Sequence, residues 1–203
     1  MGQKRANADV EHFNRRAATY ESAKSQGYFF DRVQRRVLKM VKADDPKAIL
    51  DVGCGTGRLL RKARQQWPNA RLVGVDAAEK MIEQTRKLFP EAEFKVGMAE
   101  DLPLSSNSID LAFSTLSFHH WENQAKGVTE VARVLSPQGT FLLADVAIPG
   151  WMRFFVRNFR YNSPARIRDM FAAAGLTVRV QQRPWSWSRF ILITLGKKNH
   201  NEA

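Results

Sequence analysis

Short apolar runs alternate with stretches of helical periodicity along most of this chain of 203 residues. Runs that are bounded by glycine, proline or polar turns predict buried strands, at 48–52, 71–76, 93–98, 109–118 and 140–146. Apolar residues that recur every three or four positions predict helices, at 30–41, 58–67, 77–89, 128–135 and 165–174. Because a crossover helix between successive strands makes those strands parallel, the pattern predicts an α/β fold whose parallel sheet carries helices on both faces.

The pattern changes near the end of the chain. Two further strand-like runs, 176–182 and 190–195, are separated by Pro184-Trp185-Ser186-Trp187-Ser188. This connection is too short for a crossover helix, so the two runs are expected to pair in an antiparallel manner. The chain has no internal repeat and no linker rich in glycine, serine or proline, which indicates one domain.

Charge is unevenly distributed along the chain. The net charge is +12, and it divides into +5 for residues 1–50, −1 for 51–150 and +8 for 151–203. The two basic flanks suit an anionic partner such as a membrane surface, an acidic substrate or nucleic acid, although a soluble surface with a positive bias would have the same composition.

Cysteine usage and hydropathy indicate the compartment. Cys54 is the lone cysteine, and the chain has no Cys/His cluster at the spacing of a zinc site, so neither disulfides nor a metal is expected. No run of apolar residues approaches the length that crosses a bilayer, and the N-terminus does not resemble a signal peptide. We therefore expect a cytoplasmic protein.

The residues Asp51-Val-Gly-Cys-Gly-Thr-Gly57 put three glycines where a predicted strand turns into a helix. Such a turn lets the backbone approach a ligand closely. The dinucleotide fingerprint G-x-G-x-x-G does not fit, because Arg58 occupies the position of its third glycine. An ordinary tight turn is the alternative explanation.

Two acidic residues favour a cationic ligand without phosphate at this turn. Asp51 puts a negative charge where a pyrophosphate would need a positive one. Asp76 ends the next strand, where a carboxylate can accept hydrogen bonds from both ribose hydroxyls. S-adenosylmethionine matches, because it carries a sulfonium, an ammonium and no phosphate. An acid after a strand can also be a helix N-cap, which is the competing interpretation of Asp76.

These residues resemble the class I S-adenosylmethionine-dependent methyltransferases, in particular the branch with ubiquinone/menaquinone C-methyltransferases and bacterial phospholipid N-methyltransferases. The resemblance extends over nearly the whole chain, through motifs that occur in the family's order. Besides the glycine-rich turn, these motifs are Phe13-Asn-Arg-Arg-Ala-Ala-Thr-Tyr20, Gly74-Val-Asp76 with Met81, Ala99-Glu-Asp-Leu-Pro103, Phe118-His-His120, Glu130-Val-Ala-Arg-Val-Leu135, Pro137-Gln-Gly139 and Leu195-Gly-Lys-Lys198.

The resemblance implies a Rossmann-like seven-stranded sheet of order 3-2-1-4-5-7-6 with an antiparallel last strand. It also implies that residues 1–45 form an N-terminal helical cap, 46–147 the cofactor-binding core, and 148–203 a substrate-side segment with the terminal hairpin. The cofactor-binding positions that it implies are Tyr20, Asp51, Gly53, Gly55, Gly57, Asp76, Ala77, Met81, Met98, Ala99, Glu100 and Ser114. Many relatives have Asp at the position of Met98, so the adenine amino group must bind backbone or a neighbour such as Glu100.

Catalysis requires little beyond alignment, because methyl transfer from a sulfonium is an in-line displacement with a good leaving group. His119 and His120, just beyond the fourth predicted strand, are the candidate bases for an acceptor that loses a proton. In extended backbone the two side chains would point to opposite sides, so at most one is expected to face the pocket. A structural or substrate-shaping role is the alternative.

The acceptor is expected to be a small or lipid-like molecule. Residues 150–161 mix aromatic residues with Arg153, Arg157 and Arg160. This segment could lie on a membrane surface, wall the acceptor pocket as a lid, or pack as a helix on the sheet. An RNA methyltransferase would also suit the basic flanks, although no RNA-binding module is visible, and a non-catalytic protein that binds the cofactor to stabilise a partner is a third alternative.

Overall fold

The computed structural model of the chain describes residues 2–21, 24–41, 45–147, 162–183 and 190–199. In this part of the chain, seven strands form one sheet of order β3-β2-β1-β4-β5-β7-β6. The strands are β1 (Ala48–Val52), β2 (Arg71–Asp76), β3 (Glu93–Val96), β4 (Ile109–Thr115), β5 (Leu135–Val146), β6 (Leu176–Gln182) and β7 (Ile191–Lys198).

The directions of the strands confirm the predicted sheet. Strands β1 to β5 pair in parallel, and β7 runs antiparallel to both β5 and β6. The antiparallel pairing of β6 with β7 follows from their short connection, of which residues 184–189 lie outside the described part. The strand order reverses between β1 and β4, and ligands of open α/β sheets bind at such a switch point.

Six α-helices occur among the described residues, and none of them is long and apolar enough to cross a membrane. They are α1 (Gly2–Arg16), α2 (Lys24–Met40), α3 (Arg58–Gln66), α4 (Glu79–Leu88), α5 (Gln124–Val134) and α6 (Pro164–Ala173). Side-chain caps begin the last two: Asn123 accepts a hydrogen bond from the Lys126 amide at 3.0 Å, and Ser163 accepts one from the Arg166 amide at 3.2 Å. The α1 helix was not predicted individually, since the start of the chain is largely polar.

Successive strand residues bury on opposite faces of the sheet. Ile49 belongs to the core beneath α2, α3 and α4, whereas Leu50 belongs to the core beneath α5 and α6. Because helices cover both faces, all five residues of β1 are buried, and the strand reads as a continuous apolar run rather than an alternating one.

Four strands, β3, β4, β5 and β7, have bounds that differ from the sequence prediction, and β7 spans 191–198 rather than 190–195. Strand β3 ends at Val96, and β4 ends at Thr115 because Leu116 adopts a left-handed backbone with φ of 56°. Strand β5 begins at Leu135, so the predicted turn 137–139 is an irregularity inside the strand rather than its start. Its Gln138 has φ of 66°, which explains the turn-like sequence.

Candidate functional site

A cleft opens at the carboxyl ends of β1, β2 and β4, beneath residues of α1 and α2 and beneath Tyr20. Its space, including the opening to solvent, is about 1120 Å³. The floor comes from the turn after β1, and the roof comes from α1, from Tyr20, which follows the 3₁₀ turn Ala17–Thr19, and from α2. The cleft therefore lies at the switch point between β1 and β4.

The turn after β1 is held against β2 by backbone hydrogen bonds. The amides of Gly53 and Cys54 donate to the Val75 carbonyl at 2.8 and 3.1 Å, and the Gly55 amide donates to the Asp76 carboxylate at 2.8 Å. Gly53 and Gly57 have φ of 74° and 72°, so both positions favour glycine. A Cβ on Gly53 would lie 1.8 Å from Oγ of Ser117, so the turn also excludes a side chain by contact.

Gly53→Ala is expected to lower the free energy of unfolding by about 2–4 kcal/mol, the sum of the left-handed strain and the forced displacement of Ser117. Gly175→Ala is the matched control, because Gly175 has the same φ of 74° with no atom within 4 Å of the added Cβ. The control should cost about 1 kcal/mol. Urea denaturation of both variants measures the difference, and equal losses would show that contact with Ser117 is unimportant.

Two carboxyl groups face the cleft from adjacent strand ends, that of the buried Asp51 and that of the half-buried Asp76. Asp51 is 2% exposed, and its Oδ1 has no hydrogen-bond partner among the described residues. Burial, and secondarily the charge of Asp76, raise the pKa of Asp51 to about 8. Burial also raises the pKa of Asp76, although its carboxylate accepts hydrogen bonds from the amides of Gly55 and Ala78 at 2.8 and 2.9 Å. No positive charge among the described residues offsets the raised pKa of either carboxyl group.

Asp76 does not cap the helix that follows it. The N-cap residue of α4 is Ala78, which provides no side-chain cap. Each oxygen of Asp76 accepts one backbone hydrogen bond, and a carboxylate oxygen has a second acceptor position. The arrangement can thus accept two further donors.

Hydrogen bonds to residues of α3 and α4 hold the roof against the core. Glu21 accepts hydrogen bonds from Arg58 at 3.1 Å and from Arg61 at 2.7 Å, both in the first turn of α3. Asn14 of α1 accepts one from the Lys80 amide at the start of α4, at 3.0 Å. These contacts hold Tyr20 over the glycine-rich turn, where its ring is 4.0 Å from the position of a Cβ on Gly55.

The two histidines have different surroundings. Nδ1 of His119 is 2.7 Å from Oδ1 of Asp145, and the backbone amide of His119 donates to Oδ2 of Asp145 at 2.9 Å. His120 lines the cleft, with Nδ1 3.1 Å from Oδ2 of Asp9. The prediction of extended backbone here is wrong, because Phe118–His120 forms a 3₁₀ turn. This turn places the two rings side by side, with centroids 4.1 Å apart.

Most of the residues predicted from sequence lie together on the wall of the cleft. Those on the wall are Tyr20, Asp51, Gly53, Gly55, Asp76, Ala77, Met81, Met98, Ala99, Glu100 and His120. Gly57, Ser114 and His119 do not belong to it. A Cβ on Gly57 would instead meet Thr85 and Phe94, Ser114 is buried within β4, and Nδ1 of His119 lies 2.7 Å from Oδ1 of Asp145.

Sequence reasoning missed the part of the wall that the N-terminal helices supply. These residues are Asp9, Val10 and Phe13 of α1 and Phe30 and Gln34 of α2. Val10, Phe13 and Ala17 recur at helical spacing and pack against Met81, so an apolar stripe in the polar start of the chain was the available signal. Ser117 and Trp121, which flank the histidines, were also missed.

The described wall suits a ligand that is cationic and rich in hydrogen-bond donors. Four carboxylates face the cleft, from Asp9, Asp51, Asp76 and Glu100, and the guanidinium of Arg58 is already paired with Glu21. Buried oxygens of Asp51 and Glu100 have no hydrogen-bond partner among the described residues. A pyrophosphate would be repelled, whereas the ammonium and amino groups of S-adenosylmethionine would satisfy such acceptors. Among the described residues, no three His, Cys, Asp or Glu side chains group as metal ligands would.

Comparison with known proteins identifies related sequences. Residues 50–143 match a family model described as a methyltransferase domain. A demethylmenaquinone methyltransferase of Thermotoga maritima is 28% identical over 121 residues, which are 60% of this chain and 53% of that protein. An uncharacterized methyltransferase of Mycobacterium tuberculosis is 31% identical over 145 residues, 69% of this chain and 58% of that protein.

The fold is also similar to that of solved structures. A chain from the complex between the Haloferax volcanii Trm112 methyltransferase activator and a methyltransferase superposes with a TM-score of 0.79 at 23% identity, covering 93% of this chain and 98% of that one. The chain spans about half the length of the curated relatives it matches. Its organisation as one domain over 1–203 therefore stays a prediction.

Proposed function

Since the chain belongs to the class I S-adenosylmethionine-dependent methyltransferases, we propose that it transfers the methyl group of this cofactor to a small-molecule or lipid-like acceptor. The observation that carries the proposal is the pair Asp51 and Asp76, one buried and one half-buried carboxyl group at adjacent strand ends on one cleft wall, each with a pKa that desolvation raises. Bound there, S-adenosylmethionine would supply an electrophilic methyl carbon on a sulfonium. Asp51 would attract the ammonium group through the turn, and Asp76 would hold the ribose hydroxyls.

The protein's own contribution would be alignment and exclusion of water. The roof formed by Phe13, Tyr20 and Phe30 would cover the cofactor, and Met81 would pack near the adenine. Holding donor and acceptor in line supplies on the order of 7–11 kcal/mol in favourable cases. The remaining space of the cleft would hold an acceptor of small size, and its apolar and aromatic lining suits a lipid-like body.

The test is methyl transfer from radiolabelled cofactor. The protein would be incubated separately with lipid extract, quinone precursors, small phenols and amines, and total RNA. Label in a lipid, quinone or small-molecule fraction supports the proposal. Label in RNA would replace it with the RNA methyltransferase alternative, and cofactor binding with no transfer to any fraction would favour the non-catalytic one.

Peripheral membrane contact through residues 150–161 also stays a prediction, since this segment lies outside the described residues. Replacing Arg153, Arg157 and Arg160 with Gln is expected to weaken binding to vesicles of anionic phosphatidylglycerol about a hundredfold, at about 1 kcal/mol for each arginine. The matched control replaces the same residues with Lys, which keeps the charge and should keep co-sedimentation. Unaltered co-sedimentation of the Gln variant would contradict the membrane interpretation and leave the lid and packing alternatives.

A further inference from the structure

Asp9 of α1 and His120 of the turn after β4 form a pair on the wall of the cleft. Oδ2 of Asp9 lies 3.1 Å from Nδ1 of His120, and both residues line the cleft. An ionised carboxylate can only accept a hydrogen bond, so the proton of a neutral imidazole belongs on Nδ1. Nε2 then keeps its lone pair, which is the arrangement of a general base whose tautomer is set by a carboxylate.

The surroundings of His120 keep it neutral. Burial, and secondarily the neighbouring ring of His119, lower the pKa of His120, while the carboxylates of Asp9 and Asp145 act in the opposite direction. A pKa below the usual histidine value leaves the imidazole unprotonated at neutral pH. It can therefore take up a proton under ordinary conditions.

Phe13, on the roof of the cleft, contacts the ring of His120. Its ring meets that of His120 edge to face, with centroids 5.1 Å apart, and Asp9 and Phe13 lie one helical turn apart on α1. The base is thus completed by the N-terminal helix and not by the sheet core alone. Docking of α1 would assemble both the roof and the base.

We propose that His120 is the general base of this methyltransferase, that Asp9 is its positioning residue, and that the acceptor is a neutral molecule with a dissociable proton on its reacting atom. Phenols and acidic C–H compounds are such acceptors. This inference rests on the proposed function and adds to it the class of the acceptor.

The proposed step combines removal of the acceptor proton with transfer of the methyl group. The acceptor proton passes to Nε2 of His120, the electron pair so released forms the bond to the methyl carbon, and the pair of the broken carbon–sulfur bond stays on sulfur. The imidazolium is stabilised by Asp9 and afterwards returns its proton to water.

The electrostatics of the wall favour a neutral acceptor over an anionic one. Asp9 and Glu100 would repel a carboxylate acceptor, which also has no proton to give up. Phe13, Phe30 and Trp121 provide an apolar lining for a hydrocarbon or aromatic body. A base in such a site is useful only to an acceptor that must lose a proton.

The first test is nitrogen NMR of the imidazole rings with S-adenosylhomocysteine bound, which is practical because the chain has four histidines. His120→Asn assigns the signal and still offers an amide donor to Asp9. We expect a neutral His120 protonated on Nδ1 at neutral pH, and a lower His120 pKa in Asp9→Asn. An imidazolium at neutral pH, or a proton on Nε2, would overturn the proposal whichever acceptors react.

The second test compares acceptors. Butylphenol and a naphthoquinol carry a dissociable proton, whereas hexanoate and hexyl methyl sulfide have none on the reacting atom. We expect transfer to members of the first pair only, about a hundredfold slower in His120→Asn, with a rate that falls below the His120 pKa in wild type. Asp9→Asn should shift this acid limb to lower pH, which loss of a merely structural contact would not do.

His12→Asn is the control, because His12 is an exposed histidine of the same helix and does not line the cleft. It should leave the rate and its pH profile unchanged. Transfer only to hexanoate or hexyl methyl sulfide would overturn the inference while leaving the proposed function intact. Failure to bind S-adenosylhomocysteine at all would instead overturn the proposed function.

Discussion

The Asp76→Ala variant is expected to bind S-adenosylhomocysteine at least a hundredfold more weakly than the wild type. Asp76 is predicted to accept hydrogen bonds from two ribose hydroxyls, and hydrogen bonds to a charged group contribute about 1.5–3 kcal/mol each. Loss of both corresponds to a factor on the order of 10²–10⁴ in affinity. The carboxylate also holds the amides of Gly55 and Ala78, so its removal loosens the turn itself. Isothermal titration calorimetry measures the change.

Asp110→Ala is the matched control for this measurement. Asp110 accepts hydrogen bonds from the amides of Lys47 and Ala48 at 2.8 and 3.0 Å, so it has the same backbone-binding role at the opposite end of β1. We expect the control to lower stability and to leave the affinity unchanged. Equal affinity for Asp76→Ala and wild type would remove Asp76 from the cofactor site, and a comparable loss in Asp110→Ala would show that the effect is one of folding.

Affinity for S-adenosylmethionine is expected to rise about tenfold for each pH unit between about pH 5.5 and 7.5. In the free protein, burial raises the pKa of Asp51 to about 8, so its carboxyl group is protonated over this range. A bound ammonium group would favour the carboxylate, so binding would release one proton and lower pH would oppose it. The range stops below about pH 7.7, where α-ammonium groups begin to lose their own proton.

Asp51→Asn provides the control for the pH dependence, because it is isosteric and cannot titrate. Its affinity should be flat over the same range, and calorimetry in two buffers of different ionisation enthalpy should show proton release in the wild type only. The same raised pKa makes the free protein less stable as pH rises from the unfolded value of 3.8 toward about 8. A wild-type affinity that does not change with pH would contradict the predicted ammonium contact at Asp51.

The strand core was largely predictable from the sequence. Strands β1 and β2 have the predicted bounds, because strands covered on both faces are continuous apolar runs and a glycine turn or polar residues end them. The antiparallel pairing of β6 and β7 was predictable from the length of the connection between them, which is too short for a crossover helix. The family resemblance added the order of the strands, which no local pattern contains, since pairing joins residues far apart in the chain.

The cofactor side of the cleft was also predictable, for a related reason. The glycine-rich turn, Asp51 and Asp76 follow strand ends, and the ends of adjacent parallel strands meet at one edge of the sheet. The sequence therefore predicts that the two acids lie near one another. The burial of Asp51 and the raised pKa of each carboxyl group depend on packing from all sides, so these properties required the structure.

The acceptor side was decided by the tertiary structure. Asp9 and His120 are 111 positions apart, and only docking of α1 onto the turn after β4 brings them to 3.1 Å. The 3₁₀ turn after β4 separates the roles of two adjacent histidines, since it leaves His119 with Asp145 and His120 in the cleft. By itself the sequence determined the strands of the core and the class of cofactor, because local periodicity and strand-end chemistry encode them. The contacts between the helical roof and the core arise from packing over long range, and only the folded chain could decide them.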